Sequence, residues 1–242
     1  MTFETPEPAV DPPGTRGQDR GRFGPGAAIG VLIGIVVTAA LALGAVWMST
    51  HQQRVIDQFA VWQYEPDAAI VGYADRAGLT DEGRFLFYAS RPEVLSEDGF
   101  DRICPTGDEG FGVFGCYLPA ERRIYLFDVT DDRLDGLEEV VATHELLHAV
   151  WDRMSQQERD AIGPLLEAEA AELADDETFA ATIEFYGQSE PGQRLNELHS
   201  MLGTEVAGLS PALEAHYARY IDDRSAIVAL HEQSSAVLTP RR

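Results

Sequence analysis

Two histidines with a glutamate between them stand at His144-Glu145-Leu146-Leu147-His148. Residues four apart share one face of a helix, so both imidazoles can reach a single divalent ion at about 2.0–2.1 Å. Zn²⁺ suits this donor set. Glu145 adjoins a ligand without being one, and from there it can hold a water on the ion and accept its proton as general base. Zinc brings such a water's pKa down to roughly 7. A catalytic site of this kind needs one further protein ligand and an open fourth position, whereas a purely structural site is closed by four protein ligands. A developing oxyanion also needs a second stabiliser. His216, Tyr217 and Tyr220 are candidates by residue type, although each also reads as an ordinary residue of an amphipathic helix. His51 and His231 read as surface residues.

The motif needs a helix to carry it. Leu137, Val140, Val141, Leu147 and Trp151 recur with helical period, and Asp135 with Glu138 has the spacing of a capping box, which predicts a helix from Gly136 to Met154. Ahead of it, Gly112 to Leu118 and Arg123 to Val129 are β-branched and aromatic and are separated by Pro119-Ala-Glu-Arg, which predicts a hairpin. Ser155 and Glu158 form a second capping box, opening a helix to about Leu173. Further helices are predicted near Thr178–Tyr186, over Gln193–Leu202 with Gly203 as terminator, and from Pro211 to about Gln233. Earlier in the chain, Ala69–Tyr73 reads as helix or strand, Arg84–Ala89 as a strand, and His51–Tyr64 as a short helix. The expected fold class is α+β, with a small sheet, an active-site helix and a helical C-terminal half.

Val140-Val-Ala before the motif, His144-Glu145-Leu-x-His148 itself, and Ala149-Val150 with Asp152 after it resemble the active-site helix of the gluzincin, or thermolysin-like, metallopeptidases. The resemblance covers about a dozen residues. It implies a zincin-like domain, hydrolysis of peptide bonds, and a third zinc ligand from a glutamate on a later helix. Asn196-Glu197-Leu198-His199-Ser200 is similar to the segment that carries this glutamate, so Glu197 is the implied ligand. His199, Glu184 and Glu205 remain as alternatives, and since Glu197 and His199 differ by about 200° around a helix, only one of those two can face the metal. The acid that the family carries four residues after this ligand is replaced by Met201, so another group has to orient a ligand histidine.

A formal charge of −23, from 41 acidic and 18 basic residues, argues against nucleic acid as a partner. From Ala27 to Met48 the chain is apolar and uncharged, roughly 33 Å as a helix, which matches a bilayer's hydrocarbon core. Arg16, Arg20 and Arg22 precede it, so the positive-inside rule puts the N-terminus in the cytoplasm and the rest outside. The expected organisation is a disordered tail over 1–26, a transmembrane helix over 27–48, a stalk over 49–66 and an extracytoplasmic domain over 67–242. The competing reading is a cleavable signal peptide. Gly26, Gly30 and Gly34 have a small-xxx-small spacing that could pair two such helices into a homodimer. Cys104 and Cys116, the only cysteines, are expected to form a disulfide in an exported domain. The expected activity is cleavage of exported or envelope proteins or peptides. The alternative is a catalytically silent zinc-binding adhesion or regulatory module with the same tether.

Overall fold

The computed structural model describes residues 25–104, 114–189 and 192–238. Most of the tail predicted over 1–26 and the glycine-rich segment between the two cysteines lie outside them. The chain divides into two units, Met1–His51 and Gln52–Arg242.

Helix α1, Pro25–Gln63, runs through both units. In the first unit its apolar side chains are exposed, among them Leu32, Val36, Leu41 and Leu43, and an added Cβ at Gly26, Gly30 or Gly34 would meet nothing within 4 Å. Among the described residues no single helix is long and apolar enough to cross a membrane; Leu32–Met48 and His51–Gln63 meet that requirement only as a bent pair.

The second unit continues with α2 (Ala68–Arg76), α3 (Asp81–Ala89), β1 (Glu93–Leu95), α4 (Glu97–Ile103), β2 (Gly115–Leu118) and β3 (Arg123–Phe127). A 3-10 turn, Asp132–Leu134, leads into α5 (Leu137–Arg153), α6 (Gln156–Glu172), α7 (Glu177–Ser189), α8 (Arg194–Glu205), α9 (Pro211–Tyr217) and α10 (Arg224–Leu238). This is an α+β unit, mostly helical, with one three-stranded sheet of order β1-β3-β2. The predicted hairpin is β2–β3, antiparallel with Gly115 opposite Leu126 and Leu118 opposite Arg123, while β1 joins β3 in parallel. Ile124, Tyr125 and Leu126 make β3 a buried central strand. Leu146, Leu147 and Val150 of α5 share one core with Ile124, Leu126, Leu198, Leu202 and Tyr217. Cys104 and Cys116 form the predicted disulfide, in a satellite cluster with Phe100 and Tyr125.

Several expected boundaries move, each for a physical reason. Arg84–Ala89 is helical. Thr80 accepts a hydrogen bond from the Gly83 N–H at 3.0 Å, Asp81 and Glu82 fill the first turn, and burial of Gly83, Leu86 and Phe87 follows a helical period. Asp135 does not cap α5: the 3-10 turn ends on it, and the chain enters the helix through Gly136 at φ 94°. A side chain there would meet Leu230 Cδ2 at 2.7 Å as well as an unfavourable backbone, so glycine is required twice over. Gly203 does not end α8; it lies inside it, where an added Cβ would come within 2.3 Å of Leu147 Cδ1. Its small size lets α8 lie close against α5. The long last helix is interrupted between α9 and α10, where Ile221 forms a bridge with Leu79 and the Tyr220 carbonyl accepts from the Thr80 N–H at 3.0 Å.

The expected stalk is no free spacer beyond Gln52. Asp57, 4% exposed at its side chain, makes an ion pair at 3.0 Å with Arg153 at the end of α5. Arg122 donates to Gln53, and the Tyr64 hydroxyl donates to the Pro92 carbonyl at 2.6 Å.

Candidate metal centre

The capping box at Ser155 and Glu158 forms as predicted, so α6 starts where the turn after α5 requires. α5 is thereby held between β2–β3 and α8, with its polar stripe turned towards α8. His144 and His148 stack edge to face, ring centroids 4.8 Å apart. Glu197 from the first turn of α8 meets them, its Oε2 3.7 Å from His148 Nε2. One donor atom from each of His144, His148 and Glu197 lies within 4.8 Å of the others. Ligands about 2.0–2.1 Å from a tetrahedral ion are roughly 3.4 Å from each other, so the cluster is the right size for one ion.

The remaining ring nitrogens indicate which donor faces the cluster. His148 Nδ1 is 3.0 Å from Asn196 Oδ1 and 3.1 Å from Ser200 Oγ. A proton on Nδ1 donates to that pair and leaves the Nε2 lone pair towards Glu197. Asn196 is itself aligned by donating from Nδ2 to Gln193 Oε1 at 3.3 Å. His144 Nδ1 faces Thr204 Oγ1 at 3.5 Å and Glu205 Oε1 at 3.9 Å. The groups that face these second nitrogens are thus Asn196, Ser200, Thr204 and Glu205 of α8, while Met201 is buried in the core. Burial first, then the neighbouring His148 and His231, holds the His144 imidazole well below its ordinary pKa, in the neutral form that a ligand needs.

Glu145 is 6% exposed and lies under the β2 strand. A Cβ on Gly115 would sit 2.9 Å from Glu145 Cγ and 3.0 Å from its Oε1, so the bare backbone at that position makes room for the carboxylate. Tyr117 of the same strand donates to Asp152 Oδ2 at 2.9 Å, fixing the far end of β2 to α5.

The other candidates go elsewhere. His199 is wholly buried and points away from the cluster, its Nε2 2.8 Å from His216 Nε2 and its ring against Trp151. Burial, then His216, keeps it neutral. His216 is held down to about 4 by burial and by Arg219. The Tyr217 hydroxyl donates to the His199 carbonyl at 2.8 Å from inside the core. Tyr220 is 3% exposed and packs on His216. Glu184 is exposed on α7 and outside the cluster. His51 is exposed, as expected. His231 is not a surface residue: it is half-buried, with Nε2 3.9 Å from Glu205 Oε2. Burial and then Glu197 raise the Glu205 carboxyl to about 7.

Sequence reasoning gave Ser200, Thr204 and Gly115 no role, and kept Glu205 only as an alternative ligand. A signal for the first two existed, because Asn196, Ser200 and Thr204 repeat every four residues, a polar stripe on a helix otherwise lined by Leu198, Met201 and Leu202. No protein-family model, curated protein or solved structure matches this chain.

Proposed function

We propose that the chain is a zinc-dependent endopeptidase with a zincin-like domain, tethered to a membrane by its N-terminal apolar segment and acting on exported or envelope polypeptides. The observation that carries this reading is the convergence of His144, His148 and Glu197 beside Glu145, with the second nitrogen of each imidazole facing α8. The donor set, two neutral imidazoles and one carboxylate, fits Zn²⁺ and leaves a position open. A bound zinc ion supplies a Lewis acid that polarises the scissile carbonyl and acidifies water. Glu145 takes the proton of the attacking water and passes it to the departing amine. β2 is an edge of the sheet among the described residues, and it lies directly over Glu145. A substrate strand pairing with that edge through main-chain hydrogen bonds brings its peptide bond to the cluster.

The disulfide supports an oxidising, extracytoplasmic compartment for the second unit. The apolar side chains between Leu32 and Met48, exposed in the first unit, support the tether, and Gly26, Gly30 and Gly34 offer a face for homodimer contact within it.

The test compares the purified full chain with Glu145→Ala and Glu197→Ala, measuring bound zinc and cleavage of a peptide library. Glu145→Ala keeps its zinc and loses turnover; Glu197→Ala loses zinc. Equal cleavage by wild type and Glu145→Ala removes the enzymatic reading, and stoichiometric zinc without cleavage by any of the three favours a silent binding module.

A further inference from the structure

The last three turns of α1 have two unlike faces. Gln53 and Asp57 are turned inward and held by Arg122 and Arg153, and Tyr64, just past the helix end, is held by the Pro92 carbonyl. On the other side Ile56, Phe59 and Trp62 are 45%, 53% and 70% exposed. At 100° per residue these three fall within an arc of about 120°. Phe59 and Trp62 meet edge to face at 5.3 Å, forming one continuous aromatic surface. The polar residues that share the arc are Gln52 and Gln63, both neutral, in a chain of which 24% is charged. Arg54 lies outside the arc and is paired with Glu82 at 2.6 Å. Because Asp57 is fixed to the end of α5, the direction of the apolar face is fixed relative to the metal cluster.

The covalent chain limits what can cover this face. It begins eight residues after Met48, so it lies within about 12 to 28 Å of the end of the apolar stretch 32–48, whether the connection is helical or extended. Whatever receives that stretch is within reach of Ile56. A tryptophan and a phenylalanine among neutral amides have the chemistry of the lipid headgroup boundary, where an apolar body and a polar rim are both satisfied. Attraction to anionic lipid would call for arginines on this face, and with a net charge of −23 the chain is repelled by such a surface.

We propose that Ile56, Phe59 and Trp62 seat the second unit on the surface of a zwitterionic lipid bilayer. This rests on the membrane reading above and goes beyond it: the domain lies on the membrane rather than hanging from it. Five residues of α5, about 7.5 Å, separate His148 from the Arg153 that holds Asp57. The seat therefore keeps the metal centre close to the lipid, and the polypeptides it reaches are juxtamembrane segments.

The test uses the full chain in phosphatidylcholine vesicles with bromine on shallow acyl carbons, in a Trp47→Phe background so that Trp62 and the buried Trp151 are the remaining indoles. The expected result is an at least twofold drop in Trp62 emission, absent in Trp47→Phe/Trp62→Phe and not enhanced by adding anionic lipid. A chain washed off by alkaline carbonate overturns both the tether and the seat. A chain that withstands the wash with Trp62 unquenched overturns the seat alone. Quenching seen in vesicles but lost in nanodiscs holding a single chain assigns the face to a second copy, which also overturns it.

Discussion

Gly115→Ala tests whether the β2 strand sets the position of Glu145, the proposed general base. The added methyl carbon would stand 2.4 Å from Val141 Cγ1, 2.9 Å from Glu145 Cγ and 3.0 Å from Glu145 Oε1. Ordinary carbon contacts begin near 3.5 Å, so strand and helix must separate by about 1 Å, and a valine has no flexible end that could swing aside. Overpacking of this size costs about 1–3 kcal/mol of stability. A displacement of about 1 Å at a catalytic group lowers turnover on the order of 100-fold, equivalent to about 2.7 kcal/mol of barrier. None of the three proposed metal ligands is touched, so bound zinc is expected to stay at the wild-type level. The assay is kcat/KM on a cleaved peptide beside metal content and melting temperature. Gly203→Ala is the matched control. Its methyl would press on Leu147 and Tyr217 instead, lifting α8 from α5, so zinc is held more weakly. A folded Gly115→Ala protein with wild-type kcat/KM would refute the placement of Glu145 under β2.

Arg153→Leu leaves the 4%-exposed Asp57 carboxylate without its partner and should cost about 3–5 kcal/mol in urea unfolding, while Asp57→Leu/Arg153→Leu recovers most of that loss; equal losses in both would show that packing, not charge, holds the contact. His216 titrates at about 4 in the folded chain and near 6.5 when unfolded, so below pH 6.5 the unfolded chain takes up a proton that the folded one refuses. Stability should therefore fall from pH 6.5 towards 4 and be unaffected above, and the difference between wild type and His216→Asn should be flat above 6.5 and shrink below it in thermal melts. Cys104→Ser/Cys116→Ser opens a loop with a separation of 12 residues, which in the loop-entropy model costs about 3 kcal/mol in denaturant unfolding; an unchanged midpoint would refute it.

The candidate metal-binding pair was legible because its chemistry is local: two imidazoles four apart and the helix beneath them are written in the same dozen residues. Glu197 was legible only by resemblance, and the choice between it and His199 needed the fold, since the turn of α8 decides which of two residues 200° apart faces α5. The braces at Asn196, Ser200 and Thr204 followed the helical period but act across a distance of about 50 residues in sequence, which periodicity cannot register. Helix α3 was misread as a strand because Arg84-Phe-Leu-Phe-Tyr-Ala is a short apolar and aromatic run, which periodicity alone does not separate from a buried helical segment, and the cap at Thr80 was not used. The break after α9 has a local signal in Asp223, which accepts from the Ser225 and Ala226 N–H groups at the start of α10, and a distant cause in the pairing of Ile221 with Leu79, more than a hundred residues earlier. The buried pair of Asp57 and Arg153 was invisible for the same reason.

Among the described residues, the side chains that face the second nitrogens of His144 and His148, namely Asn196, Ser200, Thr204 and Glu205, all lie on α8, the helix that carries Glu197. The cluster is accordingly built from two helices, α5 and α8. If α8 slides by a single residue along its axis, about 1.5 Å, carboxylate and braces leave together, and no intermediate keeps the rings aimed once the acid has gone. Such an arrangement behaves as a latch: engaged, it is complete, and released, it holds nothing.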